Sequence, residues 1–135
     1  MDPAQALDYI RENTNAVLAT KRRDGTPQMS PVTLAVVDDA VVMSTRQTAY
    51  KTKNLRRDPQ SWLCVFPRNF LGDWVQVECR AEIIFGPDAL EPLVEYYRTL
   101  RGEHPDWNEY RQAMITDQRC LVRFHIQRAG PDRSG

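Results

Sequence analysis

The sequence predicts a mainly β fold with some α (α+β): about six antiparallel strands joined by short turns, flanked by a few helices. Three observations predict it. Turn signals at Asp24-Gly25, Asp38-Asp39 and Gly86-Pro87 cut the chain into apolar runs of strand length. The run Val75-Gln76-Val77-Glu78 alternates apolar and polar side chains at period two. Helix-start patterns recur at Asp2-Pro3, at Asp88 with Glu91, and at Asp106 with Glu109. These elements suit a small antiparallel barrel with helices over its openings, or an α+β sandwich; periodicity alone does not separate the two.

Taken in order, Asp2 reads as an N-cap and Pro3 as the first helical residue, with Ala6, Leu7 and Ile10 on one apolar face and an end near Asn13. Ala16 to Thr20 reads as a buried strand. A second strand begins at Pro27 and continues from Gln28 to Val37, with Pro31 marking a bulge or a sheet edge. Ala40 to Thr45 is the third, and the short turns between these three predict a meander. Ser61 to Phe66 forms a fourth strand, with Trp62 in the core, and Trp74 to Phe85 a long fifth. Helices follow from Asp88 to about Leu100 and from Asp106, and Arg119 to Ile126 closes the fold with Leu121 and Val122 in the core. The polar tail from Gln127 onward is expected to fray.

A chain of 135 residues without internal repeats or a long linker suits one domain over 1–135. A formal net charge of zero argues against a nucleic-acid partner, which needs a broad basic surface. Cys64, Cys79 and Cys120 lie far apart without a Cys-x-x-Cys pair, and only His104 and His125 supply imidazoles. Neither a zinc site nor a disulfide framework is readable, which fits a reducing cytoplasm. The charged N-terminus lacks the apolar region of a signal peptide, and no apolar run reaches membrane length.

One stretch stands out against the neutral average. Residues 44–57 carry Arg46, Lys51, Lys53, Arg56 and Arg57 and no acid. They follow the apolar run Ala40-Val41-Val42-Met43 and then take helical spacing, with Thr48 as N-cap and Asp58-Pro59 as the stop. Hydroxyls at Ser44, Thr45 and Thr48, free N–H groups of a first helical turn and lysines just inside the helix together favour an anion. A solvated basic helix is the plainer reading of the same charges.

Four segments then carry a family resemblance: Leu18-Ala19-Thr20 with Asp24 to Val32; Lys51-Thr52-Lys53-Asn54-Leu55-Arg56-Arg57-Asp58-Pro59; Val75 to Ile83; and Gly102 to Met114. In this order they resemble the pyridoxamine 5′-phosphate oxidase-like split β-barrel proteins, and within them the flavin/deazaflavin oxidoreductases that bind coenzyme F420. The resemblance covers roughly residues 15–127. It implies a six-stranded split barrel, a homodimer with the cofactor in a groove between subunits, and hydride transfer between reduced deazaflavin and a small organic acceptor such as a quinone, an enone or a tetrapyrrole. It implies that Lys51 binds the phosphate, with Ser44 and Thr45 at the strand end, Lys53 and Asn54 adjoining, and Arg46 or Lys53 standing in for the arginine that the family often carries at position 49. It implies that Gln28, Ser30, Pro31 and Val32 run along the ring.

Two positions depart from the family pattern. Ala49 stands where an arginine is frequent, two residues before the lysine, and Cys79-Arg80 replaces the usual glycine on the fifth strand. Trp74 and Phe70 could wall the ring or substrate, or simply pack. Trp107 and Met114 share one helix face that meets either the groove or the core. No catalytic dyad is visible, as expected where a cofactor supplies the reactive atom. An FMN-dependent oxidase-like enzyme and a non-catalytic F420 carrier are the alternatives, and the residues do not name the acceptor.

Overall fold

The computed structural model describes residues 1–130. Its elements run α1 (Pro3–Glu12), β1 (Asn15–Lys21), β2 (Pro27–Thr33), β3 (Ala35–Val37), β4 (Ala40–Arg46), α2 (Tyr50–Arg57), β5 (Gln60–Val65), β6 (Val75–Ile84), a 3₁₀ turn (Gly86–Ala89), α3 (Leu90–Arg101), α4 (Trp107–Thr116) and β7 (Arg119–Gly130). The strands form one antiparallel sheet in the order β2-β1-β5-β6-β7-β4-β3, curled into a half-barrel flanked by the helices.

The described residues form seven strands where the sequence predicts six. The expected second strand breaks at Leu34, which is fully buried and donates its N–H to the Thr14 carbonyl at 2.7 Å. That break sends β2 and β3 to opposite ends of the sheet, so the expected meander is two separate hairpins, β1–β2 and β3–β4. Pro31 lies in the edge strand β2, paired with Val17. The second hairpin turns on two residues, Asp38 (φ 49°) and Asp39 (φ 59°). Both are left-handed, as a type I′ turn demands, and aspartate is among the few non-glycine residues that tolerate it.

Two cores result, one on each side of β4 and β7. Val41, Met43, Val122 and Phe124 join Leu18, Leu63 and Val77 inside the half-barrel. Val42 and Leu121 face the other way, against Leu93, Val94 and Tyr110 of α3 and α4. A strand covered on both faces reads as a continuous apolar run, which is why Ala40–Met43 shows no alternation. Full burial of a leucine such as Leu63 stabilises the fold by roughly 1.5–3 kcal/mol. Helix α1 starts at a capping box, with the Asp2 carboxylate accepting from the Gln5 N–H at 2.9 Å, and buries Ala6 and Ile10.

Three smaller expectations change, and one open alternative is resolved. The Asp88–Glu91 box does not form, because a 3₁₀ turn intervenes and Ala89 precedes α3 without a side-chain cap. Trp62 is half-buried on the outer face beneath the Lys21 ammonium, since the alternation of β5 turns Ser61, Leu63 and Val65 inward. Gln127–Gly130 extend β7 against Gln76–Glu78 of β6 instead of fraying; the rest of the predicted tail lies outside the described residues. Trp107 and Met114 pack on the second core beside α3.

Candidate functional site

Helix α2 positions the site. Its N-cap is Ala49, one residue after the predicted Thr48, and no side chain caps its first turn. It ends at Asp58, whose extended backbone (φ −143°, ψ 111°) is what a following proline requires. Arg56 and Arg57 in the last turn suit the negative end of the helix dipole. The inner face buries Thr52, Asn54 and Leu55.

Polar contacts stitch that face to the sheet. The Thr52 hydroxyl donates to the Arg46 carbonyl at 2.7 Å, fixing the strand-to-helix turn. Asn54 Nδ2 donates to Gln28 Oε1 at 2.8 Å and to the buried Thr20 hydroxyl at 3.1 Å, while its Oδ1 accepts from Arg57 at 3.0 Å. Arg57 also donates to the Lys21 carbonyl at 2.6 Å. With every polar group of Asn54 satisfied inside the fold, the helix cannot rotate without exposing buried donors.

This fixation leaves Lys51 on the wall of a groove of about 470 Å³. Pro31, Val32, Ala16 and Phe66 give the groove apolar walls; Ser44, Thr33, Asn15 and the Tyr96 ring complete it. Lys51 Nζ donates to Ser30 Oγ at 3.2 Å and makes no ion pair among the described residues. Burial first, and then the nearby Arg119 charge, push the ammonium pKa below its ordinary value. Tyr96 is held in the lining by donating its hydroxyl to the Thr33 carbonyl at 2.8 Å, and burial pushes its pKa up.

Of the residues singled out from sequence, Ser30, Pro31, Val32, Ser44 and Lys51 come together here. Gln28 and Asn54 bond each other beside the groove. Thr45 points into the core, 3% exposed, within 3.5 Å of the Thr52 hydroxyl. Arg46 is exposed at the end of β4 and faces Arg119 across the ladder. Lys53 projects outward over the Tyr50 ring, 5.5 Å from its centroid. Trp74 is half-buried just before β6, outside the groove lining, and Phe70 is exposed in the preceding loop. Sequence reasoning misses Tyr96 and Phe66. The Tyr96-Tyr97 pair on an amphipathic helix is the one local hint, with Tyr97 and His104 joining the aromatic cluster around Trp107 and Tyr110. His125 pairs with Glu82 on the exposed face of β6 and β7.

The groove fits a molecule with a flat apolar body and an anionic end. Apolar walls converge on a half-buried cation that has no carboxylate partner among the described residues. No cluster of three or more metal-ligating side chains is found among the described residues. No helix there is long and apolar enough to cross a membrane.

Known proteins share this architecture. The conserved hypothetical protein Rv2991 from Mycobacterium tuberculosis superposes with a TM-score of 0.76 at 26% identity, over 96% of this chain and 82% of its own. An F420 reductase superposes with a TM-score of 0.70 at 17% identity, covering 91% of this chain and 94% of its own. HutZ, a heme storage protein from Vibrio cholerae, gives 0.71 at 15% identity, over 96% and 94%. The two lower identities speak to the fold alone. A family model described as pyridoxamine 5′-phosphate oxidase matches residues 3–130, nearly the whole half-barrel with its groove, and the chain belongs to that family.

Proposed function

We propose that the chain is an F420-dependent oxidoreductase, working as a homodimer in which the second copy covers the groove and passing hydride between reduced deazaflavin and a small organic acceptor of the quinone, enone or tetrapyrrole kind. The observation that carries this reading is Lys51, a half-buried ammonium that faces apolar walls and, among the described residues, bonds only a serine hydroxyl. An anionic tail would give that cation its counter-charge. Pro31, Val32 and Phe66 would sandwich a flat ring and exclude water, and Ser30 would hold the lysine aimed at the tail. When bound, F420 supplies the hydride; the chain supplies orientation and a dry wall, which requires no acid–base pair of its own.

Calorimetric titration of the purified protein with F420 and with FMN tests the reading. F420 is expected to bind more tightly, in a species of twice the 15.6 kDa chain mass by sedimentation. Tighter FMN binding would favour the flavin enzyme instead. Tight F420 binding without turnover across an acceptor panel would favour a carrier.

A further inference from the structure

Arg46 closes β4 and Arg119 opens β7, and the two stand directly opposite in the antiparallel register. Directly opposed residues share one face of a sheet, and like charges so placed repel. Two positions along the same strands, Ser44 faces Leu121, so this pair lies on the face that carries the groove residue Ser44. Arg119 lines a neighbouring cavity with Gln47, Leu90 and Met114, and its charge disfavours the charged form of Lys51 and acts on the Tyr96 hydroxyl, which also feels Arg101. Among the described residues, neither Arg46 nor Arg119 makes an ion pair. The acids of α3 are committed elsewhere, Glu91 to Arg111 at 2.9 Å and Glu95 to Arg98. Two cations thus stand side by side at the strand ends, two positions beyond the groove residue Ser44 and without an ion-paired carboxylate among the described residues, an arrangement that favours an anion between them.

We propose that Lys51, Arg46 and Arg119 form one anion site, with Arg119 as a specificity-determining residue that selects ligands bearing a run of two or more negative groups, such as a phosphodiester followed by carboxylates. The proposal rests on the assignment of Lys51 to the anionic tail and extends it to β7. Lys51 reaches the first charge, beside the ring. The Arg46–Arg119 pair at the strand ends meets the charges that follow, and a guanidinium can hold them by paired N–H bonds.

The test compares wild type, Arg119→Gln and Arg119→Lys against three probes: inorganic tripolyphosphate, F420, and the deazaflavin chromophore lacking phosphodiester and glutamates. Arg119→Gln is expected to weaken tripolyphosphate and F420 roughly tenfold, the scale of one charge-assisted contact. Arg119→Lys should recover part of that loss, and the bare chromophore should bind all three proteins alike. Equal tripolyphosphate binding by wild type and Arg119→Gln would overturn the proposal whatever F420 does, as would an equal loss for the bare chromophore. Tripolyphosphate binding that depends on Arg119, without F420 binding, would uphold the anion site and defeat the F420 assignment.

Discussion

Replacing Lys51 with methionine separates binding from folding, because the two should move in opposite directions. Methionine matches the apolar stem of the side chain up to Cε and removes the ammonium group with its charge and its bond to Ser30 Oγ. In the free protein that charge is a liability. Burial and Arg119 both disfavour it, so the folded-state pKa lies below the ordinary 10.5. A lysine whose pKa is depressed by folding destabilises the fold fully at neutral pH, and that cost fades only as the pH climbs toward 10.5. Lys51→Met should therefore raise the melting temperature of the ligand-free protein at pH 7. Lys51 is only half-buried, so solvent screening limits the gain to less than ~1 kcal/mol, or no more than about 4 °C for a domain of this size. Binding should fall instead. Losing one charge-assisted contact of about 1.5–3 kcal/mol weakens F420 roughly 10- to 150-fold. Differential scanning fluorimetry reads the first effect and calorimetric titration the second. A lower melting temperature would mean that the free protein holds Lys51 favourably, and an unchanged dissociation constant would remove it from the anion site.

Two further outcomes follow from the buried polar and thiol groups. Asn54→Ala leaves the fully buried Thr20 hydroxyl and the Gln28 amide without their partner, and should lower stability by about 1–3 kcal/mol with an unchanged urea m-value; an unshifted urea midpoint would show that the stitch is idle. Burial pushes the Cys79 thiol from 9.0 to about 12, Cys120 from 9.0 to about 11, and the Tyr110 hydroxyl from 10.0 to about 12. Raised pKa values favour the neutral, folded forms, so this stability is complete below pH 9 and drains away between pH 9 and 12; equal urea midpoints at pH 8 and pH 11 would contradict it.

Local features were legible in the chain, and cross-strand ones were not. Asp2 and Asp106 cap their helices as read, since an N-cap acts within three residues. The stop at Asp58-Pro59 held for the same reason. The break at Leu34 was hidden because its cause, the bond to Thr14, lies twenty positions away across the fold. Trp62 misled because β5 carries large apolar residues on both faces, and only the register with β1 and β6 decides which face is interior. Around the groove, Ser30, Pro31, Val32, Ser44 and Lys51 come together, whereas Thr45 turns inward by strand alternation. Arg119 could not be read from sequence at all. Its relevance comes from facing Arg46 across a ladder whose strands are more than seventy residues apart.

The prolines of β2 bear on how copies of this chain can meet. Strand β2 ends the sheet, and Pro27 and Pro31 stand at positions of the same parity. Because proline is tolerated in a ladder only where its nitrogen points outward, half the outward donors along Pro27, Met29, Pro31 and Thr33 are missing. The rim is thereby protected against templated strand addition and fibril growth. A stable pair of subunits would then not form by zipping backbones together along β2, and that rim is left to contacts between side chains.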